Sequence, residues 1–148
     1  MDIYSELDSS AMNDHLPCLY RAPHSVHEDL IPFFLSYHQQ HINYGRYFWY
    51  SDYHGFIKES LLDLAKQSDS LKYAVVAFSA LIYSIQVNHH VKQYAFHFYA
   101  KTIRELQHVI NTDSMKSVLS LHTTVATILE LASIEVQLIR SLMIEGYR

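Results

Sequence analysis

Breakers are scarce in this chain. It has 148 residues with only 3 glycines and 3 prolines. That excludes collagen-like and Gly/Pro-rich low-complexity character and disfavours turn-rich all-β folds; so few breakers favour long helices. It has one cysteine, Cys18, which excludes an internal disulfide and a multi-cysteine zinc module within these residues. Cys18 lies in an acidic segment, whereas a reactive thiol needs an electropositive one, so it reads as an ordinary thiol. A single thiol fits a reducing compartment. Charged residues are 18% of the chain, below the usual ~25%, and the net charge is −4. No basic footprint for nucleic acid is present. The N-terminus has no basic region followed by an apolar one, so no secretory signal is read.

Apolar residues, by contrast, make up 49%. That excludes disorder along the whole chain, and one domain of this length buries enough surface to need no covalent staple. The acid is concentrated at the start. Residues 1–30 hold six acids (Asp2, Glu6, Asp8, Asp14, Glu28, Asp29) against Arg21. Residues 1–24 lack periodicity and read as an irregular acidic lead, and residues 25–148 as a helical domain.

Five helices are expected, packed as an antiparallel array of all-α class. The first runs over 26–42, with Ser25 and Glu28 as a capping box. Pro32 implies either a start near Leu30 or a kink. The second, 53–67, follows a cap at Ser51 or Asp52. The third, 71–87, is apolar nearly all round, which places it in the middle of a packed assembly. Its apolar stretch Tyr73–Val87 is shorter than the ~20 residues that cross a bilayer, so it reads as a core helix. The fourth, 91–110, lines one face with Val91, Tyr94, Ala95, Phe98, Thr102, Leu106 and Val109. The fifth, about 114–145, is apolar on more than one stripe and wants partners on several sides. The breaks fall at Ser68–Ser70, Asn88–His90 and Asn111–Asp113. Two such apolar helices have too few neighbours here, so a larger helical array or an oligomer is expected.

Chemistry-bearing patterns are weak. Eleven histidines include pairs at helical spacing: His24/His27, His38/His41 and His90/His97. None comes with a third ligand at a known spacing, so they read as scattered surface and half-buried side chains, whose charge rises steeply between pH 7 and 5.5. No nucleophile elbow or phosphate loop is present. Glu130 and Glu135, five apart, do not share a face well, and a solvated or capping role is expected ahead of a buried pair. The aromatic run Tyr44–Tyr53 reads as packing at a helix corner rather than a stacking platform, which would need a basic groove. An enzyme is not expected, and no catalytic, cofactor-binding or metal residue is assigned. His38, His41, His89 and His90 form the one alternative set, for a metal or small molecule.

Four segments together resemble a known family. They are Tyr47–Phe56 leading into Leu61–Ala65, then Ser68–Leu81, then Ala95–Leu106, and last Val125–Val136. In order and spacing, over about residues 28–140, they are similar to the fungal-specific transcription factor domain, the regulatory region of fungal zinc-cluster transcription factors. The resemblance implies an all-α regulatory segment acting in the nucleus through protein partners or the remainder of a transcription factor, without touching DNA itself. The six-cysteine cluster and basic linker that precede this region in such factors have no counterpart here. The chain therefore reads as the first part of the regulatory domain. A stand-alone helical module that oligomerises through its third and fifth helices is the alternative.

Overall fold

A computed structural model of the chain describes residues 26–43, 46–47, 55–112 and 117–146. Among these the secondary structure is helical, with five α-helices and no strand. Helix α1 is Val26–His41, α2 Leu61–Ala65, α3 Asp69–Gln86, α4 Lys92–Asn111 and α5 Val118–Gly146. A π-helical turn, Phe56–Ser60, runs into α2, and a 3-10 turn, His89–Val91, runs into α4. The acidic lead and the residues proposed as caps for the first two helices (Ser25, Ser51, Asp52) lie outside the described residues.

Helix α3 is the axis of the molecule. It packs on α1, α4 and α5. Every residue from Tyr73 to Ser84 is buried, as its all-round apolar sequence requires. Ala74, Ala77 and Ala80 are fully buried, and their short side chains let neighbouring helices come close. Its start is fixed by Ser68, whose hydroxyl accepts from the Leu71 amide, the usual N-cap arrangement. Asn88 plays the same part for the 3-10 turn, accepting from the His90 amide. No helix among the described residues is long and apolar enough to cross a membrane.

On one flank, α1 presents Leu30 and Phe34, both fully buried. Phe33, Phe34 and Tyr37 each meet the Tyr83 ring edge-on, at 5.5, 6.2 and 5.1 Å between centroids, the geometry aromatic quadrupoles favour. On the other flank, α4 buries Tyr94, Ala95, Phe98, Thr102 and Leu106. These belong to the face expected from its periodicity.

The first helix starts where the periodicity places it, not near Leu30. The helix runs from Val26 through Pro32 to His41, with Pro32 on the exposed side. The Glu28 carboxylate takes Lys101 of α4 at 2.5 Å. The expected second helix is two pieces, a π turn and a five-residue α-helix. Gly55 opens it with φ 70°, ψ 25°, a left-handed conformation that only glycine adopts freely.

Candidate functional site

Helix α5 turns its polar side inward. Thr123, Thr124, Thr127, Glu130, Ser133 and Gln137 are all buried. The hydroxyls are satisfied at short range. Thr127 donates to the Thr123 carbonyl at 2.7 Å and Ser133 to the Leu129 carbonyl at 2.9 Å, an arrangement that lets Thr and Ser sit inside a helical core. Ser70 and Thr127 bring hydroxyls to 3.4 Å across α3 and α5.

Glu130 has no such local partner. It is completely buried, and the Tyr47 hydroxyl donates to its Oε2 at 3.4 Å. The same hydroxyl lies 2.5 Å from Nε2 of His38, itself fully buried on α1. With the single Tyr47 proton turned to Glu130, the His38 Nε2–H is the donor to the Tyr47 oxygen. Two turns further along α5, Gln137 Nε2 donates to the Arg46 carbonyl. Residues 46–47 are thus strapped to α5 by two polar contacts, while the Tyr47 ring packs on Phe78 of α3 at 4.5 Å between centroids.

Burial decides the charge of this cluster. Desolvation raises the Glu130 carboxyl to about 8, with the Tyr47 hydroxyl pulling only slightly the other way. Desolvation, with a smaller repulsion from Lys58, lowers His38 to about 4. Both are therefore neutral at pH 7, the state in which a buried acid and imidazole cost least. Among the described residues, Glu130 Oε1 and His38 Nδ1 have no hydrogen-bond partner.

The expectations for these two residues are corrected here. Glu130 is neither solvated nor a cap, and His38 is neither a surface nor a half-buried histidine. Each sits where Tyr47 can reach it, and Tyr47 is 83 residues from Glu130 in the chain. Glu135, in contrast, is exposed and accepts from the Tyr99 hydroxyl at 2.9 Å. The two glutamates do not share a site.

The alternative histidine set is not brought together. His38 points into the core, while His41 is exposed against the Tyr37 ring at 4.9 Å. His89 and His90 are exposed on the 3-10 turn, and half-buried His97 meets Phe98 edge-on. Among the described residues no group of three or more His, Cys, Asp or Glu could hold a metal ion. Of the aromatic run only Tyr47 is described, and it is a core residue; Phe48, Trp49, Tyr50 and Tyr53 lie outside the described residues, with Cys18 and His24. The side chain of His27 does too.

Two clefts are bordered by described residues. One, of about 590 Å³, lies between α1 and the π turn with α2. Its charged lining is Lys58, Glu59, Asp63, Lys66 and Lys72. Lys66 is paired with Asp63 at 2.7 Å and Lys72 with Asp69 at 2.5 Å. The other, of about 350 Å³, is bordered by the start of α3 and the residues before and at the start of α5. Neither is lined by His38, Tyr47 or Glu130. The polar cluster forms a neutral internal clasp that borders neither of these two clefts.

Comparison with known proteins matches residues 33–140 to one family, described as fungal-specific transcription factor domain. The match begins inside α1 and ends near the close of α5, so it takes in part or all of each of the five helices. No curated protein and no solved structure matches the chain. The matching family is one of transcription regulation and is not an enzyme family.

Proposed function

Because the chain belongs to the fungal-specific transcription factor domain family, we propose that it is a regulatory helical segment of a zinc-cluster transcription factor. It acts in the nucleus through protein contacts and does not touch DNA. The observation that carries this reading is the family match over residues 33–140. The charge balance agrees with it: a DNA-contacting surface needs clustered Lys and Arg, and the chain has 11 of these against 15 acids. The mechanism is a shift of equilibrium. A partner that binds one arrangement of the domain better than another exposes or covers the activating surface of the factor.

The test places the full chain between a heterologous DNA-binding module and a strong activating segment. A reporter should change several-fold against the same fusion without the chain. An unchanged reporter overturns the regulatory reading. The isolated chain should leave the fluorescence anisotropy of a labelled duplex unchanged at low salt, where non-specific phosphate contacts are strongest.

A second reading, a helical interaction module outside any transcription factor, is favoured by one feature. The outer face of α5 is apolar and uncovered, with Ile128 50% and Leu142 64% exposed. An unchanged reporter would leave this reading standing.

A further inference from the structure

Helix α5 has apolar residues on both of its sides. Its inner face mixes Thr123, Thr124, Thr127, Glu130, Ser133 and Gln137 with Ala126, Leu131 and Ile134. Its outer face carries Val118, Leu121, Val125, Ile128, Ile139 and Leu142, each 47% exposed or more. A helix whose outer side faces water carries polar residues there.

The outer residues are not scattered. With Ala132 and Glu135 in the two remaining places, they follow spacings of three and four residues without interruption from Val118 to Leu142. That is the 3.5-residue period of a helix that lies along another helix, knobs into holes, rather than the broader stripe that packs on a globular core. One set of alternate positions is Val118, Val125, Ala132 and Ile139; the other is Leu121, Ile128, Glu135 and Leu142. The seam carries a single charge, Glu135.

We propose that the outer face of α5 is a dimer seam, in which α5 of a second copy of this chain lies antiparallel along it. The seam is complementary to itself in that direction. Centred on residue 130, the two-fold pair sets Val118 against Leu142, Leu121 against Ile139, Ile128 against the small Ala132, and Val125 against Glu135. All four heptads overlap, and no like charges meet. A parallel in-register pair would set Glu135 against Glu135, which is unfavourable at a seam position. The seam and the flanking Met143 give seven large apolar side chains 47–71% exposed, set toward the ~800 Å² per partner that a stable interface buries. The interface is isologous, as closed two-fold pairs require. The inference stands on this geometry and does not depend on the regulatory reading.

Sedimentation velocity of the full chain from 1 to about 100 µM tests it. The expected mass is twice 17.3 kDa. Val125→Glu would face Glu135 of the second copy and should weaken the dimer at least ~10-fold, since two like charges then meet at the seam. Val125→Lys would face the same carboxylate and should keep the dimer. Val125→Glu combined with Glu135→Lys should restore it. Residue 125 is 47% exposed, so the helical circular dichroism of every variant should match the parent, which separates lost pairing from lost folding. A parent chain that stays monomeric, or forms species larger than a dimer, overturns the proposal. So does a Val125→Glu variant as dimeric as the parent, or a Val125→Lys variant as monomeric as Val125→Glu.

Discussion

At the scale of single residues, the most consequential side chains are a neutral acid and a neutral imidazole. Glu130 has its folded pKa raised to about 8 from 4.5, and His38 has its lowered to about 4 from 6.5. A raised folded value favours the folded state below the unfolded pKa, and the advantage is lost as pH rises through the folded one. A lowered folded value works the other way for His38, whose burial costs stability as pH falls from 6.5 toward 4. Between about pH 4.5 and 6.5 the two unfolded-state groups together hold one proton, as the folded pair does, so the cluster contributes no slope there. Above 6.5 the folded state holds one proton more, and stability should fall by on the order of 2 kcal/mol by pH 8, at ~1.4 kcal/mol per pH unit. Urea titrations of the parent and Glu130→Gln at pH 6.5 and 8 check this. The variant should lack the fall, and an equal fall in both would remove Glu130 as its source. Tyr47→Phe deletes the hydroxyl that both groups share. It should cost ~1–3 kcal/mol, the penalty of a buried donor left without a partner, in the same titrations at pH 6.5.

At the scale of elements, the fold depends on how closely α3 is approached. Ala77 is fully buried in that helix, between neighbours on three sides. Ala77→Leu adds volume that a close-packed interior cannot absorb, and should lower stability by ~1–3 kcal/mol, read as a lower urea midpoint. Ser68→Ala removes the cap of the same helix and should cost ~1 kcal/mol, read by the same titration. The smaller effect is expected because the Ser68 hydroxyl is only partly buried and its contact to the Leu71 amide is long, at 3.4 Å. The π turn at Phe56–Ser60 is an element that hydrophobic spacing does not announce. The apolar stripe over 53–67 fits one continuous helix, and the distinction between four- and five-residue hydrogen bonding leaves little mark on side-chain type.

At the scale of the whole molecule, α5 buries polar groups on its inner face and exposes apolar ones on its outer face. Buried threonines and serines satisfy their hydroxyls within the helix, so the inner face can be polar without a large penalty. The outer face then holds most of the helix's unburied apolar surface. If that face pairs with a second copy, folding and association are linked, and the thermal midpoint should rise with protein concentration over 1–100 µM. A midpoint independent of concentration would count against association. The regulatory reading and the dimer seam are compatible, since the match to the family spans the same helices.

The sequence by itself determined the all-α class, the order of the helices, the central place of α3, the buried face of α4 and the family. The family follows from the resemblance of four segments; the rest follow from local quantities: the spacing of apolar residues, the scarcity of Gly and Pro, and the polar breaks at Ser68–Ser70 and Asn88–His90. It also showed that the last helix is apolar on more than one stripe. Tertiary structure alone decided which side of that helix faces inward. Periodicity gives the angle between stripes on a helix but not which stripe meets the core, and here it is the one that mixes Thr127, Glu130, Ser133 and Gln137 with Ala126, Leu131 and Ile134. Tertiary structure alone also joined His38, Tyr47 and Glu130. Their contacts span up to 83 residues, and a glutamate within an apolar helix reads from sequence as solvated until a partner from another element is seen to reach it. The neutrality of the cluster is likewise a property of burial, which no residue carries in its own name.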